Sequence, residues 1–101
     1  MMQMKINISQ QDLQWFEQEM EAQSGEWIQF YARYGGSSKL HEGFTLGMTK
    51  AQPDEAAIQQ DENGIHFYIE ERDLWYFDDH DLYVDLNEER KEIEFDYRKG
   101  S

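Results

Sequence analysis

The chain has 101 residues, enough for one domain around one hydrophobic core. Nine basic and 22 acidic side chains leave a formal charge of -13, a field that repels phosphate backbones and anionic lipid headgroups and so excludes nucleic acid and membrane surfaces as natural partners. With no cysteine there can be no disulfide, no zinc–thiolate site and no cysteine-ligated iron–sulfur cluster.

The charge is uneven. Residues 1–50 carry four basic and six acidic side chains, whereas residues 51–101 carry five and 16. Cations and basic protein patches suit such a field. Fifteen aromatic residues offset a hydrophobic share of only 39%. The N-terminus has no basic region followed by an apolar core, and no stretch approaches ~18 apolar residues, so the expectation is a cytoplasmic protein.

Met4, Ile6 and Ile8 alternate with polar residues, the period of a half-buried strand. Ser9 stops it and starts a helix, predicted from about Gln10 to Gln23, because its hydroxyl can accept an orphan backbone N–H while Asp12 favours the positive end of the dipole. Leu13, Phe16 and Met20 share one face of that helix, and Trp15 can widen it. Trp27 to Tyr34 is aromatic-rich without a helical stripe and reads as a strand that Gly35-Gly36 ends. Phe44, Leu46 and Met48 alternate in the next strand, and Pro53 breaks the pattern after it.

Asn63-Gly64 is the clearest turn signal, since both residues tolerate the positive φ of a tight hairpin between Ala57–Gln60 and Ile65–Ile69. Glu70 to Phe77 reads as a short helix or helical turn. Asp78-Asp79-His80-Asp81 reads as an exposed loop leading into a strand at Leu82–Leu86, and Ile93, Phe95 and Tyr97 complete a second hairpin. Residues 98–101 read as a frayed tail on a single domain of residues 1–97. The expected architecture is mainly β, α+β in content, with about seven short strands, an N-terminal helix and a short second helix.

The order of these elements resembles the HesB/IscA-like family, connected with iron–sulfur cluster biosynthesis, over nearly the whole chain. Tyr34-Gly35-Gly36-Ser37-Ser38 stands where that family has a Gly-Gly-Cys-Ser-Gly type motif. Gly64-Ile65-His66-Phe67-Tyr68-Ile69 and Leu82-Tyr83-Val84-Asp85 look like two of its strands. The resemblance implies a compact HesB-like β-sandwich or pseudo-barrel, and a homodimer as one assembly open to it. Cluster-carrying members use three cysteines, one after the paired glycines and two in a Cys-Gly-Cys near the C-terminus. Here Ser37 takes the first place and Asp96-Tyr97-Arg98-Lys99-Gly100-Ser101 closes the chain, so the chain looks like the cysteine-free HesB-like branch of small bacterial proteins.

Three sites are candidates on residue type. Gly35, Gly36, Ser37 and Ser38 can present backbone N–H groups and hydroxyls to an anion, or can simply form a strand-ending turn. His41 with Ser37 and a carboxylate has the composition of an activated serine, although no Gly-x-Ser-x-Gly elbow is present. Asp78, Asp79, His80 and Asp81 could hold a divalent cation but fit no EF-hand spacing, and a solvated loop explains them as well. His66 reads as an exposed strand histidine, and Trp15, Trp27 and Trp75 as core or interface anchors. No cofactor is expected. The function read from the sequence is a non-enzymatic HesB-like domain that binds a protein partner or a small ligand, accessory to iron–sulfur assembly without carrying a cluster. Its rivals are a cation-dependent or hydroxyl-based enzyme and an acidic interaction module for a basic partner.

Overall fold

Period-two alternation becomes seven strands in two sheets. The computed structural model describes residues 4–99. Strands β1 (Ile6–Ile8), β6 (His80–Asn87) and β7 (Glu92–Lys99) form a three-stranded sheet in the order β1-β6-β7. Strands β2 (Trp27–Ser37), β3 (Glu42–Lys50), β4 (Ala56–Glu62) and β5 (Ile65–Glu70) form a four-stranded sheet in the order β3-β2-β5-β4. The three hairpins β2–β3, β4–β5 and β6–β7 are antiparallel, whereas β1–β6 and β2–β5 are parallel and join distant parts of the chain. Helix α1 (Gln10–Glu19) and a 3₁₀ helix (Glu71–Phe77) complete the set.

Alternation puts Ile28 and Phe30 of β2, Ile65, Phe67 and Ile69 of β5, and Leu82 and Val84 of β6 into one core, which Leu13 and Phe16 of α1 and Tyr76 and Phe77 of the 3₁₀ helix share. Phe16 meets Phe67 edge-on at 5.0 Å, and Phe30 stacks on Phe67 at 6.0 Å. Each such buried phenylalanine is worth about 1.5–3 kcal/mol of apolar transfer. The radius of gyration, 13.0 Å, is that of a well-packed chain of this length.

Helix α1 begins as expected, with a full capping box: the Ser9 hydroxyl accepts from the Asp12 amide at 3.2 Å and Asp12 accepts from the Ser9 amide at 2.7 Å. It ends four residues earlier than Gln23. Glu21 takes a left-handed φ of 52° and the Ala22 amide donates back to the Phe16 carbonyl, which folds the chain over before the Ser24-Gly25 stop is reached. Asn63 and Gly64, at φ 51° and 78°, form the two-residue turn between β4 and β5.

Three further expectations are corrected. Gly35-Gly36 does not end β2. Pairing runs to Tyr34↔Phe44 and resumes at Ser37↔Glu42, so the two glycines, at φ 116° and 66°, oppose Gly43 as a bulge inside the hairpin. Asp78-Asp79-His80-Asp81 is a loop only in its first half: Asp78 and Asp79 turn through positive φ, while His80 and Asp81 already pair in β6 with Lys99 and Arg98. Those pairings also make Arg98 and Lys99 the end of β7 rather than a frayed tail. The remainder of that tail, Gly100 and Ser101, lies outside the described residues.

Candidate functional site

The bulge sets up everything around it. Beyond it the β2–β3 hairpin closes over Ser38–His41, where the Ser38 amide donates to the His41 carbonyl at 2.8 Å and the Ser38 hydroxyl accepts from the His41 amide at 3.2 Å. Ser38 is thus committed to the turn, and Ser37 is exposed at the end of β2. An open groove of about 500 Å³ runs alongside, lined by Ser37, Ser38, Lys39, Thr45, Phe95 and Tyr97 among others. Lys39 reaches across it to Asp96 at 3.0 Å, and that hydrogen bond, the Tyr97 amide and the lysine charge hold the Asp96 carboxyl below its usual range.

His41 does not serve Ser37. Its ring Nε2–H donates to the Tyr76 carbonyl at 2.8 Å, and among the described residues neither serine hydroxyl is bonded to the ring. The arrangement therefore lacks the hydrogen-bonded nucleophile and base of an activated serine. The imidazole is instead a spacer in a run of rings, 5.3 Å from Trp75 and 5.2 Å from Tyr76. Below it the Tyr76 and Tyr97 hydroxyls meet at 3.1 Å. Burial, reinforced by that hydrogen bond, pushes the Tyr97 phenol well above its ordinary pKa, so it stays neutral and serves packing.

At the surface the run of rings emerges. Phe44 lies between Tyr34, at 5.6 Å, and Trp75, at 5.2 Å, edge to face with both. Tyr34 keeps the side of the strand that Ile28, Phe30 and Ala32 present to the core, but it lies past the end of the covering layer and is 87% exposed. Sequence patterning missed this row because its members come from three elements.

The Asp78–Asp81 segment is dispersed. His80 Nδ1–H donates to the carbonyls of Phe77 and Asp78 at 3.0 and 2.8 Å, and Asp81 accepts from the Lys5 amide at 2.8 Å. Among the described residues no three His, Asp or Glu side chains converge as metal ligands. His66 is less exposed than its strand position implies: its ring lies 4.2 Å from that of Trp27 and bonds Asp61 at 2.8 Å. The Gln59 amide and this histidine together lower the Asp61 pKa.

Three buried carboxylates were not legible as such. Glu70 accepts from the Asp54 and Glu55 amides at 2.7 and 2.6 Å and fixes the entry to β4. Asp73 lies near Ala32 and Gln29, where the β2–β5 pairing ends; burial raises its pKa, and those two neighbours oppose the rise. Asp12 is raised by burial too, and among the described residues its Oδ1 has no hydrogen-bond partner. Glu70 and Asp12 both act on the backbone.

Among the described residues no helix is long and apolar enough to cross a membrane. Residues 4–101 match the iron-sulphur cluster biosynthesis family. A pyruvate dehydrogenase inhibitor of Bacillus subtilis (strain 168) is 43% identical over 95 residues, which cover 94% of this chain and all of that protein. Uncharacterized proteins of Staphylococcus saprophyticus and of Staphylococcus aureus (strain MRSA252) are 36% and 30% identical, each alignment covering 91% of this chain and 97% of the relative. No solved structure matches the chain significantly. By the extent of that match the chain belongs to the iron-sulphur cluster biosynthesis family, as a member without a single cysteine.

Proposed function

We propose that this protein is a non-enzymatic member of its family that works by binding another protein, and that its target is a pyruvate dehydrogenase complex, which it inhibits. The observation that carries this reading is the full-length relationship to a protein named for such inhibition, at 43% identity, in a chain that matches its family over residues 4–101 and has Ser37 where the resemblance expects a thiol. Hydroxyls and carboxylates are hard ligands, poorly suited to holding an iron–sulfur cluster, so cluster carriage gains no support from the residues present. The broken Ser–His pairing likewise favours binding over catalysis.

The test is direct. Purified protein added in increasing amounts to a purified bacterial pyruvate dehydrogenase complex should lower pyruvate-dependent NADH formation in a saturable way. Undiminished turnover at a large molar excess, with no complex formed in biolayer interferometry, would overturn the proposal. Anaerobic incubation with iron and sulfide supplies a second check, since a stable stoichiometric cluster would restore a cluster-carrying role.

A further inference from the structure

Two large apolar side chains among the described residues stand out for their exposure, Tyr34 at 87% and Trp75 at 51%, and they are not scattered. Both lean on the edge of the same ring, Phe44, to make a continuous aromatic row across β2, β3 and the 3₁₀ helix. The row is rigid. Phe44 packs against the core, Trp75 rests on His41 and Tyr76, and His41 is pinned to the Tyr76 carbonyl. Phe44 and Trp75 are therefore presented with less of the ordering cost that a flexible patch pays on binding. Exposed tryptophan and tyrosine held in this way are the residue types that dominate binding energy at protein interfaces.

Charge says what the row fits. The segments carrying it expose Glu42, Glu71, Asp78 and Asp79, against Arg33 and Arg72, while Lys39 is tied to Asp96 and Lys50, at the other end of β3, to Glu26. The whole chain adds a field of -13. Electron-rich ring faces inside an acidic field attract guanidinium and ammonium groups twice over, through cation–π contact and through ion pairing at the rim. We propose that the Tyr34–Phe44–Trp75 row is the anchor of a docking surface for an arginine- or lysine-bearing face of a partner protein. This rests on the reading that the chain acts by binding a protein; it adds where, and by what chemistry.

The experiment has two arms. In the first, binding of the pyruvate dehydrogenase complex is measured by interferometry for wild type, Tyr34→Ala, Trp75→Ala and Trp75→Lys, which places a positive charge in the row. Each should weaken binding at least tenfold, Trp75→Lys most, whereas Glu88→Gln with Glu89→Gln, in the turn at the far end of the β6–β7 hairpin, should stay within about twofold. In the second, a nona-arginine peptide is titrated into the protein alone by calorimetry. Its affinity should fall severalfold in Tyr34→Ala and Trp75→Ala and fall again between ~50 and ~300 mM salt. Circular dichroism and thermal midpoints check that the variants are folded. If the complex binds wild type and the aromatic variants equally, the docking surface is wrong while the inhibitor reading stands. If the complex does not bind wild type, the inhibitor reading fails and the peptide arm decides the surface: affinity that ignores both aromatic substitutions overturns it. Light scattering that shows Tyr34→Ala and Trp75→Ala abolishing a wild-type dimer, with peptide affinity unchanged, assigns the row to a second copy and also overturns the proposal.

Discussion

At the scale of single residues, the fold spends several acidic side chains on its own backbone. Glu70 is the clearest case, a buried carboxylate clamped by two consecutive amides at 2.7 and 2.6 Å. Glu70→Gln keeps the shape but replaces one acceptor by an NH₂ group facing an N–H, so urea unfolding should show a loss of about 1–3 kcal/mol. An unchanged midpoint would mean that Asp54 and Glu55 find other acceptors. Nothing in the sequence distinguishes Glu70 from its exposed neighbour Glu71, because alternation places residue types on faces and says little about which loop folds over them. Gly35-Gly36 shows the opposite balance. Their need for positive φ was plain from residue type, but bulge and turn differ only in whether pairing resumes at Ser37↔Glu42, which is a property of the partner strand.

At the scale of elements, local signals worked where local chemistry decides. The Asn63-Gly64 hairpin, the aromatic β2 and the Ser9 start of α1 all follow from residues adjacent in sequence. The cap can be tested by itself: Ser9→Ala removes the acceptor for the Asp12 amide and leaves Asp12 with less to hold it, and should cost about 1 kcal/mol in denaturant unfolding. A variant as stable as wild type would show that packing of Leu13 and Phe16 alone fixes the helix. The parallel pairs β1–β6 and β2–β5 were not legible, since period-two patterning states which side of a strand is buried and not which strand lies beside it. The aromatic row was hidden for the same reason, with Tyr34, Phe44 and Trp75 on three elements that only the sheet order brings together.

At the scale of the whole molecule, charge and burial act on stability in the same direction. Burial raises the Asp12 and Asp73 carboxyls, so the folded chain binds protons there that the unfolded chain has already released. Their ionised forms then cost stability: the cost is absent below the usual carboxylate range and complete once pH exceeds the raised folded values. Glu26, Asp61 and Asp96 are shifted downward and have the opposite sign, but they lie at the surface where solvent screens them. Self-repulsion of a chain at -13 also relaxes as carboxylates take up protons. The thermal midpoint at low salt is therefore expected to rise as pH falls from neutrality toward the upper edge of the usual carboxylate range. A flat or falling midpoint over that interval would show that the surface ion pairs outweigh both effects.

The parallel pairing of β1 with β6 bears on how the molecule comes into being on the ribosome. Ile6, Asn7 and Ile8 find their partners at Leu82, Tyr83 and Val84, so β1 must wait for a segment made 76 residues later. At roughly 5–20 residues per second, that wait is on the order of 4 to 15 seconds. During it the four-stranded sheet, whose members all lie between residues 27 and 70, can assemble while Ile6 and Ile8 stay uncovered. The three-stranded sheet closes only when β6 arrives to meet β1, which makes synthesis of His80–Asn87 the event that covers Ile6 and Ile8.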